Sequence, residues 1–153
     1  DLHTYHVKTG TTWTTVHNSC IRQVDYGSTE LSQAVQEQRL ADGWSRGGAT
    51  ATSAKGNYAA TRLDGPDGPI EVFRSNKDWH AEQGAVKQYG DRIVELYTER
   101  QPCSSRCDPM LRGRNIDTTY SYPWTSGANE TAQAIRDTTN SALGDAVRNL
   151  FGR

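Results

Sequence analysis

The chain has little of what usually staples or thickens a small domain. Three of its 153 residues are cysteine, one is methionine and two are phenylalanine. An odd cysteine count leaves no complete disulfide framework. Apolar residues make up only 34% of the chain, and the mean hydropathy is -0.80. With no long apolar run, no transmembrane helix is expected. No secretory-signal pattern opens the chain. It begins at Asp1 rather than at methionine, which reads as a processed product or an excised piece of something longer. A dominant charge is missing as well. The net charge of -1 gives no global basic field of the kind that marks a nucleic-acid binder. The length suits one domain with one core, and neither an internal repeat nor a low-complexity tract interrupts it.

The positive charge that is present is skewed, with 13 Arg against 4 Lys. Arginine forks suit phosphates and stack on bases better than lysine does. Six of the arginines lie between Arg92 and Arg136, on either side of the residues singled out below.

Residues 1–27 alternate in places (Tyr5 and Val7; Trp13 and Val16) and read as an N-terminal arm or short strands. The domain proper is placed at 28–153. Ser28-Thr29-Glu30-Leu31 offers capping hydroxyls, an acidic first turn and then an apolar stripe of Leu31, Ala34, Val35 and Leu40. Asp42-Gly43 closes that helix. Residues 48–63 read as a hairpin turning at Lys55-Gly56-Asn57, and 64–69 as a loop. Ile70–Phe73 is a short strand. A helix from about His80 to Tyr89 stops at Gly90. Residues 92–98 suit a buried strand, Pro102 to about Leu111 a helix with proline near its start, and 116–122 another strand. A last helix over roughly 127–150 carries Ala132, Ile135, Leu143, Val147, Leu150 and Phe151, with Gly144 as a candidate break. Helices alternating with strands imply an α/β layered domain on a mixed sheet.

The chemistry is concentrated in two clusters. His80-Ala81-Glu82 is followed, 21 residues after Glu82, by Cys103-Ser104-Ser105-Arg106-Cys107, with Pro102 just before it. A catalytic zinc takes three protein ligands and keeps one position for water. One imidazole and two thiolates supply that set, and the bound water loses its proton near neutral pH. A carboxylate that is not a ligand must then move protons. Glu82, two residues after the ligand His80, can reach the fourth position. Cys103 in a first helical turn would be favoured as thiolate by the free N–H groups there. Cys103 and Cys107, four apart, would share a helix face. The competing reading, a disulfide, needs that helix to be absent, because same-face Cβ atoms lie about 6 Å apart against the roughly 3.8 Å of a disulfide.

These residues resemble the H-x-E…P-C-x-x-C signature of the zinc nucleobase deaminases, with one departure. Three residues, not two, separate the cysteines. The runs Tyr97–Cys103 and Tyr120-Ser121-Tyr122-Pro123-Trp124 resemble the bacterial polymorphic-toxin deaminases of the cytidine deaminase-like superfamily, over roughly residues 28–151. The resemblance implies a three-layer fold, a central mixed five-stranded sheet flanked by helices. It also implies a Zn2+ cofactor on His80, Cys103 and Cys107, with Glu82 as the catalytic acid/base. The implied activity is hydrolytic deamination of cytosine to uracil in nucleic acid, DNA favoured, with the substrate's strand form left open. The implied setting is the C-terminal toxin domain of a secreted bacterial protein. It would be delivered into a target cell, act in that cell's cytoplasm and be opposed by a cognate immunity protein. The domain is expected to be monomeric and to need no membrane.

Around that site, Trp124 and Tyr122 are candidate base-stacking residues, Trp79 a candidate pocket wall, and Trp44 with Arg46 a candidate rim. Each is also an ordinary packing or surface residue on its own. Arg100, Arg106, Arg112 and Arg114 are possible contacts to a phosphate backbone. Asn57 reads first as a turn residue and second as a contact to a substrate sugar. Cys20 reads as a free or buried thiol. His3, His6 and His17 read as arm or surface residues, with a separate metal site as the alternative. Two other functions stand beside the leading one. One is a deaminase of free nucleosides, nucleotides or adenine. The other is a non-catalytic, zinc-stabilised binding module, which would ask for a fourth protein ligand such as Cys20. A nuclease has little support without a second histidine near the motif.

Overall fold

The computed structural model describes residues 4–9, 12–17, 21–43 and 56–152. Strands β1 (Thr4–Thr9) and β2 (Thr12–His17) pair antiparallel as a two-stranded sheet of their own. The main sheet has five strands. They are β3 (Arg22–Gln23), β4 (Tyr58–Leu63), β5 (Ile70–Arg74), β6 (Ile93–Arg100) and β7 (Asp117–Tyr122). Their order is β3-β7-β6-β4-β5, with β3, β7 and β6 parallel and β4 antiparallel to both its neighbours. Four α-helices flank the sheet: α1 (Glu30–Asp42), α2 (Ala81–Tyr89), α3 (Cys107–Gly113) and α4 (Glu130–Leu150). This is the expected α/β mixed-sheet architecture. Residues before position 28 contribute to it, since β3 pairs with β7 and Tyr26 donates to Glu99. Among the described residues no helix is long and apolar enough to cross a membrane.

Helix α1 begins where Thr29 accepts a hydrogen bond from Ser32 N–H and ends at Gly43, whose φ of 82° suits glycine. Its inward face is Leu31, Val35 and Arg39, spaced by four. Leu31 and Val35 pack on Tyr58, Ala60 and Tyr97 of the sheet. The expected stripe included Leu40, but Leu40 is 45% exposed and Arg39 fully buried. Glu99 on β6 accounts for this. Arg39 Nε and Nη2 each donate to it at 2.7 Å. The opposite face of the sheet meets α2 and α3 through Leu63, Ala85, Val86, Leu96, Leu111 and Ile116.

Other expectations need correction. The first half of the hairpin expected over 48–63 lies outside the described residues, and both edges of β4 are taken, one by β6 and one by β5. The hairpin is β4–β5, turning through the loop at 64–69. Gly68 is required there, since a Cβ would come within 1.6 Å of the Leu63 carbonyl oxygen. The helix expected from Pro102 starts only at Cys107, after a turn over 104–106. Gly144 does not break the last helix, which runs through it, held by buried Leu143 and Val147. Ile135, expected on the apolar stripe, is 36% exposed; Thr139 is buried instead.

Candidate active site

Alternation along β6 sorts its side chains between the two faces. Tyr97 and Glu99 turn toward α1. Leu96 and Thr98 turn toward α2, whose first turn carries Glu82. Strand β6 then ends, and its carboxyl end delivers Gln101, Pro102 and Cys103 beside the start of α2. Open α/β sheets place ligand sites at strand ends of this kind.

His80 is the cap residue of α2, and its backbone N–H donates to Gln83 Oε1 at 3.0 Å. A turn closed by Asn76, whose Oδ1 accepts from Asp78 and Trp79 N–H at 2.8 Å, presents it. His80 Nδ1 stands 3.3 Å from Cys107 Sγ and 3.9 Å from Cys103 Sγ. The three candidate ligand atoms all lie within 4.8 Å of one another. Tetrahedral bonds of the usual lengths to one zinc would put nitrogen and sulfur about 3.6 Å apart. The donor set therefore fits a small metal ion. The two cysteines are free thiols, buried at the bottom of the site.

The extra residue between the cysteines is absorbed in the turn before α3. Asp108 N–H donates to the Cys103 carbonyl at 3.0 Å, closing a turn one residue wider than a helical one. Cys107 N–H points at Cys103 Sγ, 3.4 Å away. The helix-start donors expected to favour a thiolate thus exist, but they belong to residues 106–107 rather than to a turn begun at Cys103. Burial alone would raise the Cys103 thiol; hydrogen bonds from Cys107 and from the backbone of Arg106 bring it below the ordinary thiol range. Burial pushes the Cys107 thiol up, and the nearby Glu82 and Cys103 add to the rise. A cation between the sulfurs would reverse that balance.

Glu82 is buried. Its Oε1 accepts from Thr98 Oγ1 at 2.8 Å and from Asn57 Nδ2 at 3.4 Å, and Asn57 Nδ2 also donates to Thr98 Oγ1 at 2.8 Å. Its Oε2 is buried with no partner among the described residues. Burial holds the carboxyl above the usual carboxylate range, opposed by its own backbone N–H and by Thr98. A carboxyl with one oxygen fixed and the other open can take up and release a proton at a fixed position.

These groups line a cleft of about 330 Å³, shared by His80, Glu82 and Cys103 with Asn57, Arg100 and Trp124. Gln101, Ser75 and Asn140 of α4 complete the wall. The Trp124 ring centroid lies 5.3 Å from the Arg100 guanidinium carbon, and Trp124 N–H donates to Gln101 Oε1 at 3.3 Å. Beyond His80, Cys103 and Trp124 the cleft opens into a trough of about 590 Å³, edged by Arg106, Arg136 and the segment at 126–128.

Of the residues singled out in the sequence, the fold brings together His80, Glu82, Cys103, Cys107 and Trp124. Tyr122 does not line the cleft; its ring packs at 5.7 Å from that of Tyr26. Trp79 does not line it either. It is 42% exposed, with Lys87 Nζ 4.4 Å from its ring. Trp44, Arg46, Cys20 and His3 lie outside the described residues. Asn57, read first as a turn residue, is tied to Thr98, Glu82 and Arg100 at once. Thr98 and Gln101 were marked in the sequence only as members of the run Tyr97–Cys103, with no role of their own, and Asn140 carried no signal.

The chain matches the Xanthomonas-like deaminase family over residues 54–142, more than half its length. It belongs to that family. Comparisons with curated proteins and with solved structures found no match. The matched span holds the whole His80–Cys103–Cys107 cluster and Glu82, and it ends within α4 just past Asn140.

Proposed function

We propose that this deaminase is a zinc enzyme that converts cytosine to uracil in nucleic acid, DNA in preference. The observation that carries this reading is Glu82: a buried carboxyl, held by Thr98, with one unpaired oxygen beside a His/Cys/Cys cluster. Zinc on His80, Cys103 and Cys107 would supply a Lewis acid that makes a water at its open position acidic. Glu82 would take one proton of the attacking water and give it to the ring nitrogen, then carry the water's second proton to the departing amine. Thr98 and Asn57 hold Oε1, so Oε2 carries the traffic. Hydrolysis balances: the water oxygen bonds to C4, the C4–N bond breaks, and the water's two protons leave on the ring nitrogen and on ammonia.

Support for a polynucleotide over a free base comes from the trough beyond Trp124. Arg106 and Arg136 edge it, and no carboxylate is among its lining residues. A chain of net charge -1 has gathered cations there. Phosphate backbones favour such a path, and Trp124 stands where a base can stack. A target inside a duplex must be flipped out to reach the cleft.

The setting follows from the family resemblance of the runs at 97–103 and 120–124. The domain acts as the toxic C-terminal part of a secreted bacterial protein. It works in the cytoplasm of the cell that receives it, as a monomer, and a cognate immunity protein blocks it in the producer.

The test is direct. Zinc-loaded protein is incubated with cytidine and with single- and double-stranded oligonucleotides, and uracil is measured. Uracil formed in oligonucleotides by wild type and absent with Glu82→Ala is expected. Uracil that persists in Glu82→Ala sinks the mechanism, and turnover of cytidine alone moves the assignment to a free-nucleoside deaminase. Zinc lost on Cys20→Ser would favour a structural metal site instead.

A further inference from the structure

The cleft contains one full charge that no described carboxylate balances at ion-pair distance. Arg100, the last residue of β6, is 7% exposed and lines the cleft. A guanidinium has five N–H donors. Nη1 donates to the Gly56 carbonyl and Nη2 to Asn140 Oδ1, each at 2.9 Å, and Nε has no partner among the described residues. The adjacent carboxylate, Glu99, faces the other way and is taken by Arg39, Tyr26 and the Tyr58 N–H. The Trp124 ring covers the guanidinium and softens its charge without cancelling it. A buried cation without a counter-charge is costly, far more so than a paired one.

The amides around it have their oxygens engaged. Asn140 Oδ1 accepts from Arg100 and Gln101 Oε1 accepts from Trp124. Both side chains line the cleft, and neither amide NH2 has an acceptor among the described residues. Glu82 shares the cleft and partly offsets the Arg100 charge without forming an ion pair with it, so what this corner lacks is an acceptor and a negative charge in contact with these donors. A neutral carbonyl would satisfy an N–H but leave the charge standing. A phosphate satisfies both, and a planar guanidinium suits it in shape.

We propose that Arg100, with the Asn140 and Gln101 amides, forms a phosphate subsite for the nucleotide whose base enters the cleft. The proposal rests on the deaminase reading only for which molecule carries the phosphate. That phosphate comes either from the linkage beside the target in a polynucleotide or from the end of a free nucleotide.

Calorimetry on zinc-loaded Glu82→Ala protein tests it without turnover. The ligands are deoxycytidine, deoxycytidine 5′-monophosphate, and a trinucleotide with its linkages either natural or as neutral methylphosphonates. A phosphate-bearing ligand is expected to bind at least about tenfold tighter than its neutral counterpart, the scale of one charge-assisted hydrogen bond. Arg100→Met should erase that gap. Asn140→Asp, which hands Arg100 a carboxylate in place, should erase it too while keeping the fold, so an unfolded Arg100→Met does not end the test. A gap for the mononucleotide alone assigns the free nucleotide as source; a gap for the trinucleotide assigns the polynucleotide. No gap in the parent protein, or a gap that survives Asn140→Asp, overturns the subsite. Phosphate binding lost in these variants, in a chain that deaminates nothing, would keep the subsite and sink the deaminase reading.

Discussion

His80 Nδ1 and Cys107 Sγ approach to 3.3 Å although Cys107 follows Cys103 by one residue more than the deaminase signature has. The turn closed by Asp108 N–H on the Cys103 carbonyl takes up the extra residue and still starts α3 at Cys107. Two predictions concern this relation. Cys107→Ala should lower zinc affinity by well over the roughly 10- to 100-fold typical of losing a mere outer contact, read as metal content after dialysis. Deleting Ser105 shortens the turn to the signature spacing but swings Cys107 away from His80. It should also lower zinc affinity; unchanged zinc content would mean the turn adapts freely.

Thr98→Val removes the donor that fixes Glu82 Oε1 without changing side-chain shape much. Asn57, at 3.4 Å, is then the one described side chain that still holds Oε1. The expected result is roughly tenfold lower kcat with zinc content unchanged, on the scale of one misplaced catalytic group. Equal losses of kcat and zinc would point to a collapsed site instead.

Glu82→Gln should cost about 10²- to 10⁴-fold in kcat, the usual worth of a general acid/base. Its effect on the chelator-treated protein should have the opposite sign. Burial raises the folded-state pKa of Glu82 above its unfolded value. The native state then binds the proton more tightly, so the ionised carboxyl costs stability at neutral pH. That cost disappears as pH falls through the raised folded value and below the ordinary carboxylate range. Glu82→Gln should therefore melt higher than wild type near pH 7 and lose that advantage in acid. Thermal unfolding across pH 4 to 8 checks it.

Breaking the buried pair on the far face of β6 should be expensive. Arg39 and Glu99 are fully buried and joined by two 2.7 Å bonds, with Tyr26 and the Tyr58 N–H also on Glu99. Glu99→Gln leaves Arg39 buried with its carboxylate gone. A loss of about 3–5 kcal/mol is expected from denaturant unfolding. A loss under about 1 kcal/mol would mean water replaces the carboxylate.

Much of this molecule was legible in its sequence. Periodicity and caps located α1, α2 and α4, since amphipathic spacing and terminal residues act locally. The ligand set and Glu82 were legible because a metal site needs particular atoms, and few residues carry them. The places where reading failed were those settled by distant partners. Arg39 turned inward and Leu40 outward because Glu99, sixty positions away, waits inside. Strand β4 takes both its partners, β5 and β6, from farther along the chain. Tyr122 packs on Tyr26 and Trp124 on Arg100, a division that β7's own alternation left open. Asn57, Thr98, Gln101 and Asn140 joined the site through side chains whose types carry no chemistry alone. The sequence by itself determined which atoms could hold a metal and move a proton. Only the tertiary structure decided which polar groups would be buried beside them, because burial and the choice of partner depend on contacts no local pattern encodes.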